Sequence, residues 1–350
     1  MRINNPEATL FESSEQEHLL NKLGNPMQQL DALIAWETFR NRLDKVFPKV
    51  DKSKGGRPRM DIVMMFKVLI LQQLYNLGDQ AMEFQIADRS SFKNFLGIKS
   101  IKGIPDEKTI WAYREKLKES GQLKLLFNDF HKRLENKGLI ANKGKVVDAT
   151  IVKAPIQRNT RTENEKIKQG EEIEEWEANP NKNRQKDKDA RWVKKHGKSS
   201  YGYKDHIKMD RKSKLIDSYS VGTASEHDSQ KLKDLISKRD KGQTLYGDSA
   251  YRGEEQEKII KKAKMKSRIH LKGYRGNPLN EQEQKTNSSR SRIRVRVEHV
   301  FGHMKKCMSG FEIRTIGMQR AEVQIGLKNL AYNIMRSSYL MSGKRKQILI

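Results

Sequence analysis

The sequence predicts an all-helical region over residues 1–140 followed by an α/β domain over residues 141–340, built on a mixed five-stranded sheet with helices. Three observations carry this. No apolar run before residue 140 alternates clearly as a strand does; from Gly144 the pattern changes to short β-type runs; and strands then interleave with helices in the order βββαβαβα. A length of 350 residues suits two domains of ordinary size.

In the first region, MDIVMMFKVLILQQLY at 60–75 places Ile62, Met65, Phe66, Leu69, Ile70 and Leu74 on one helical stripe, just after the breaker GGRPR at 55–59. Further helices are expected at 27–46, 79–88 and 122–137. In IPDEKTIWAYREKLKE, Pro105 and Asp106 supply a helix start, and Ile110, Arg114 and Leu117 lie along one face. Lys108, Arg114, Lys116 and Lys118 make this helix basic, as expected of the second helix of a helix-turn-helix lying in a major groove. The alternative is a helix packed by Ile110, Trp111 and Leu117 with a solvated basic back.

In the second region, Val146 to Val152 is apolar on both faces except at Asp148, the pattern of a central strand. YGYKDHIKMD at 201–210 and KLIDSYSVGT at 214–223 read as the next two strands, joined by the turn RKSK. DSQKLKDLISK then reads as a helix with Asp228 as N-cap and Leu232, Leu235 and Ile236 buried. TLYGDSAY is the fourth strand, EEQEKIIKKAKM a helix and SRIHLKG the fifth strand; this order is the signature of an RNase H-like domain. Residues 156–200 interrupt it with an acidic block, EEIEEWE, and a Lys- and Asn-rich stretch. Such charge runs are usually flexible surface, although an insertion this long can also serve function, here through DNA contact by Trp192 and its lysine neighbours. Residues 341–350 form a basic tail.

The chain carries 71 Lys plus Arg against 44 Asp plus Glu, a formal charge of +27 that makes nucleic acid the leading partner. A ribosomal or membrane-surface protein can carry similar charge. No segment approaches the roughly 20 apolar residues of a spanning helix, and MRINNPEATLFESSEQEHLL lacks a signal-peptide core, so a soluble, unexported chain is expected. The single cysteine, Cys307, excludes an intramolecular disulfide framework and a Cys-based zinc finger, and points to a reducing compartment.

Three acids stand out. Asp148 and Asp248 fall within or at the end of β-type runs, where an ionised carboxylate is costly to bury without a cation or hydrogen bonds. Glu298 lies on a helix whose apolar stripe is Val297, Val300, Phe301, Met304 and Met308. Beside that stripe, Arg294, Glu298 and Lys305 align at i, i+4 and i+11. An ion-pair ladder accounts for Arg294 and Glu298 alone; the surrounding Arg290, Arg292, Arg296 and Lys306 point to a phosphate backbone. Carboxylates from three elements suit two Mg²⁺ or Mn²⁺ ions, which together activate an attacking oxygen and stabilise a leaving one in phosphodiester cleavage.

VVDAT, YGDSAY and RVEHVFGHMKK, with YGYKDHIKMD and SEHDSQ between them, resemble the DDE transposases of bacterial insertion sequences, specifically the insertion sequence 5 family. The stretch from GGRPRMDIV to IPDEKTIWAYREKL is similar to the N-terminal domain of the same proteins, so the resemblance spans roughly residues 55 to 340. It implies Asp148, Asp248 and Glu298 as metal ligands and catalytic residues. In the signature Tyr, two residues, Arg, three residues, Glu, six residues, Lys, the last three are Arg294, Glu298 and Lys305, while the tyrosine position holds Ser291. The implied activity is cleavage at the ends of an insertion element and joining of its 3′-hydroxyls to target DNA, with Lys305 near the terminal phosphate or adjacent base. Implied partners are double-stranded DNA, as terminal inverted repeats and target, and further copies of the chain in a homodimer or larger assembly. The implied location is the bacterial cytoplasm, at the nucleoid. An RNase H-like nuclease without strand transfer and a catalytically silent DNA-binding derivative remain as alternatives.

Overall fold

The computed structural model describes residues 12–48, 59–155, 157–195 and 197–343. Of the GGRPR breaker only Arg59 falls among them, and most of the basic tail, 344–350, lies outside them. The first part of the chain forms α1 (Glu12–Leu23), α2 (Pro26–Leu33), α3 (Arg40–Val46), α4 (Ile62–Tyr75), α5 (Asp79–Asp88), α6 (Ser90–Leu96), α7 (Glu107–Ser120) and α8 (Leu123–Asn136), with no strand among the described residues before Lys145. The single helix expected over 27–46 is broken at Ile34, which is extended, and a 3₁₀ turn at Trp36–Phe39 follows. Aromatic packing fixes that break: Trp36 meets Phe95 edge-on at 5.5 Å and Phe39 lies 5.0 Å from Phe66.

Asp61 caps α4 by accepting from the backbone N–H groups of Val63 and Met64. The expected one-sided stripe of α4 is corrected: Val63, Val68 and Leu71 are buried along with Met65 and Leu69. A helix apolar all round belongs inside a core, and α4 is covered by a helix from the far end of the chain.

The sheet has six strands: β1 (Lys145–Lys153), β2 (Arg191–Lys195), β3 (Lys198–Asp210), β4 (Ile216–Thr223), β5 (Thr244–Gly247) and β6 (Lys266–Ile269). Five of them lie in the order β4-β3-β1-β5-β6, antiparallel from β4 to β1 and parallel from β1 to β6. This mixed order with flanking helices fits an RNase H-like fold. The sixth strand, β2, comes from the 156–200 insertion and pairs with the first residues of β3. Gly202 marks where β3 passes from β2 to β1: a Cβ there would lie 2.2 Å from the Val152 carbonyl oxygen, and its φ is +152°.

The insertion is not the flexible surface that its charge runs predict. It folds into α9 (Arg161–Gln169), α10 (Glu174–Glu177) and α11 (Pro180–Gln185) before β2. Trp176 is buried and donates to Glu163, which also closes a capping box with Thr160 at the start of α9. The buried Asp187 accepts from the Tyr203 hydroxyl and from the backbone N–H groups of Asp189, Ala190 and Gly317, tying the insertion to β3 and to the segment before the last helix.

One sheet face is covered by α12 (Leu232–Leu235) and α13 (Glu254–Lys262), whose Leu232, Leu235 and Ile260 pack on Val147 and Leu245. Asp228 does not cap a helix as expected; its carboxylate pairs with Lys204 at 2.9 Å, and the His227 side chain accepts from Ser229 N–H instead. The other face carries α14 (Glu281–Lys306) and α15 (Met318–Met341). The apolar core runs without a break from Met27 through α4, α8, Val146 and Val152 to α14 and α15. Polar ties cross the same junction. Lys328 donates to the carbonyls of Gln73 and Met308, and Arg320 pairs with Glu115 at 2.8 Å. Helices before residue 140 therefore share one core with the sheet.

Asp205, on β3 opposite Thr150, is wholly buried, with one hydrogen bond from Asn329. Burial pushes its carboxyl up to about 7. Its folded value lies above the ordinary 3.8, so the stability it confers is complete below that pH and lost as pH rises through about 7. Asp205→Asn keeps an acceptor and cannot ionise. It should melt several degrees above the unsubstituted protein at pH 8 and approach it near pH 4; a constant difference at both pH values would exclude the titration.

Candidate active site

Strand register brings the first two acids together. Val146 pairs with Tyr246 across the parallel β1 and β5 strands, so two residues further on Asp148, within β1, and Asp248, just past β5, stand at the same level, one strand apart. Neighbouring strands are about 4.8 Å apart. Asp248 follows the end of β5 and accepts from the Ala250 N–H, capping a 3₁₀ turn at Ser249–Tyr251. Asp148 lies within β1 and accepts from the Ala149 N–H at 2.8 Å. Burial, reinforced by the nearby Asp248, pushes the Asp148 carboxyl up to about 6 despite Arg294.

Glu298 arrives on α14. The helix buries Val297, Val300, Phe301 and Met304, which turns Arg294 and Glu298 toward the sheet edge. Arg294 forks between two acids: Nη1 lies 2.9 Å from Asp148 and Nη2 2.8 Å from Glu298. The i, i+4 pair is thus formed, and it reaches across to the central strand. Among the described residues no group of three or more His, Cys, Asp or Glu side chains stands close enough to hold a metal ion. The chemistry of the donors still fits one. The buried Asp148 is held back from ionising by burial and by the nearby Asp248, the oxygens of both acids are hard donors, and the charge that partly relieves Asp148 is the Arg294 guanidinium.

Lys305 stands one face-neighbour away, its ammonium donating to the Thr150 hydroxyl at 2.7 Å. Loss of solvent, with Lys153 and Lys195 nearby, lowers its proton affinity. Arg292 and Lys306 are exposed. Arg296 and Arg290, expected on the same basic face, instead donate to the backbone carbonyls of Arg211 and Ile269. The sequence reading missed the neighbours Tyr251, buried with an unpartnered hydroxyl, and His270, which follows β6. Both lie in runs read only as strand, so their place depends on register.

Three expected DNA contacts fall elsewhere. Arg114 is buried and holds Asp79 through two 2.6 Å bonds, so its guanidinium cannot read a groove. Its helix packs through Ile110, Tyr113 and Leu117, whereas Trp111 is 49% exposed and Lys108 is exposed. Trp192 lies on β2, donating its indole N–H to the Asn159 carbonyl at 2.8 Å with its ring 5.3 Å from Tyr201. Arg114 and Trp192 are therefore built into the fold, whereas Lys108 is exposed.

Comparison with known proteins bears on this geometry. Residues 142–334 match the family described as Transposase DDE domain, and residues 14–116 match one described as Transposase domain (DUF772). The chain also aligns with a chain in a cryo-EM structure of the piggyBac transposase synaptic complex with hairpin DNA. The similarity has a TM-score of 0.41 at 10% identity, over 94% of this chain and 78% of that one. No helix among the described residues is long and apolar enough to cross a membrane.

Arg114 and Lys108 can be separated by stability. Removing one member of a buried pair strands the other charge, at a cost of about 3 kcal/mol, so Arg114→Ala should lower the melting temperature clearly. Lys108→Ala should leave it unchanged. Thermal melts of both variants check this, and an unchanged Arg114→Ala melt would return that residue to the surface.

Proposed function

The chain belongs to the Transposase DDE domain family, and on that premise we propose that it is an insertion-element transposase of the insertion sequence 5 type. It cuts DNA at the ends of its element and joins the freed ends to a target. The observation that carries this reading is the register of parallel β1 and β5, which puts Asp148 and Asp248 at one level, with Glu298 tied to the same place by Arg294.

Asp148, Asp248 and Glu298 would hold two divalent ions, Mg²⁺ or Mn²⁺, on one edge of the sheet. Bound there, such ions lower the pKa of an attacking water or 3′-hydroxyl and neutralise charge on the phosphate. In the first reaction a water oxygen bonds to phosphorus, the bond to the 3′-oxygen breaks, and that oxygen takes a proton. In the second, the 3′-hydroxyl bonds to a target phosphorus and expels the target's own 3′-oxygen. The chain's other residues bind and orient. Arg294 would hold Asp148 and Glu298 together until the ions displace it; Lys305 is braced by Thr150 for the terminal phosphate; Arg292 and Lys306 take backbone phosphates further along α14. Lys108 is the helical region's candidate contact, since Arg114 and Trp192 are occupied. Two element ends must be brought together, which calls for a homodimer or larger assembly on DNA. The working location is the bacterial cytoplasm, at the nucleoid.

Asp148→Ala, Asp248→Ala and Glu298→Ala, each tested on labelled element-end duplex with target plasmid and Mg²⁺, should lose cleavage and joining while keeping most DNA affinity. Near-normal cleavage by any one of them would remove that residue from the site. Cleavage by the unsubstituted chain without joining would instead identify a nuclease of the same fold.

A further inference from the structure

The parallel half of the sheet delivers a third side chain beside the two aspartates. Gly247 pairs with Ile269 across β5 and β6, and the His270 backbone N–H continues the ladder by donating to the Gly247 carbonyl at 3.1 Å. Asp148 within β1, Asp248 just past β5 and His270 just past β6 therefore stand in one row. From α14, one turn before Arg294, Ser291 reaches the same imidazole, its Oγ 3.3 Å from Nε2. Ser291 is the residue that stands at the tyrosine position of the signature described above.

We propose that His270, held by Ser291, is a further DNA-contacting residue of this site, seating the strand that carries the scissile phosphodiester against the Asp148 and Asp248 edge. The inference rests on the function proposed above. His270 is only part-buried, and among the described residues the hydrogen-bond partner of its ring is a serine hydroxyl. Burial and the adjacent Arg294 and Arg290 lower its proton affinity, with Asp248 acting the other way, which favours the neutral ring. A neutral imidazole has one donor and one acceptor nitrogen. When the Ser291 hydroxyl donates to Nε2, the proton sits on Nδ1 and is free for a phosphate oxygen. The pair thus supplies from two elements a planar ring with a polar edge, beside the volume that a phenol at position 291 would take. A tyrosine at 291 and a histidine at 270 would compete for that volume, and the chain carries one ring there.

The test uses the full chain, a duplex bearing the end of its own element, and Mg²⁺, with KM and kcat for nicking, the position of the cut and the melting temperature as readouts. His270→Ala should raise KM about tenfold and spread cleavage to neighbouring phosphodiesters, with an unchanged melt. Ser291→Tyr alone should also impair cutting, because phenol and imidazole collide. The double variant His270→Ala with Ser291→Tyr should cut better, and at a better-defined position, than either single variant. A purely structural role predicts no such rescue. Wild-type KM and cut position in His270→Ala overturn the inference, as does a double variant no better than His270→Ala. Asp148→Asn separates the two readings. If the unsubstituted chain cuts no better than Asp148→Asn, the proposed function fails and takes this inference with it; if it cuts and Asp148→Asn does not, the His270 result stands on its own.

Discussion

A carboxylate on the central strand of a sheet needs a compensating charge, and much of the molecule is arranged around that need at Asp148. The strand is buried on both faces, so the acid loses most of its water, and its carboxyl rises to about 6 with Asp248 one strand away. The parallel pairing of β1 with β5 makes this proximity unavoidable. It is the helix α14, docked by Val297, Val300, Phe301 and Met304, that brings in the guanidinium of Arg294 and with it Glu298. Arg294 holds two of the three acids, and a divalent cation entering the site would compete with it for both.

Support for α14 comes from far along the chain. Helix α15 lies between the sheet and the N-terminal helices, its Lys328 bonded to backbone on both sides, and the insertion anchors its start through Asp187 and Asp189. The close approach of Gly326 to Tyr219, where a Cβ would lie 2.4 Å from the phenol oxygen, shows how tightly α15 is laid against β4.

Much of this was legible in the sequence because it depends on local pattern. The period change at Gly144, the lone charge in KVVDATIVK and the cap at Asp106 each act within a few residues, and the strands, acids and helix start follow. What was not legible depends on partners distant in the chain. Arg114 reads as a basic helix residue until Asp79 is placed opposite it; Trp192 reads as an exposed aromatic in a charged loop until β2 pairs with β3. The insertion's order rests on Trp176 and Asp187 finding partners, which a charge run conceals. His270 becomes visible only through the register of β5 with β6. Arginine and lysine counts gave the charge of the surface but not which cations are free, since Arg290 and Arg296 are spent on carbonyls.

The central claim is that Asp148, Asp248 and Glu298 form one divalent-metal site. Anomalous diffraction from crystals of the protein with Mn²⁺ and element-end DNA tests it most directly. The account predicts two manganese peaks about 3.5–4 Å apart, ligated by these three carboxylates, with the Arg294 guanidinium withdrawn from between Asp148 and Glu298. Manganese bound elsewhere, or Arg294 still bridging the two acids beside an ordered DNA end, would contradict it.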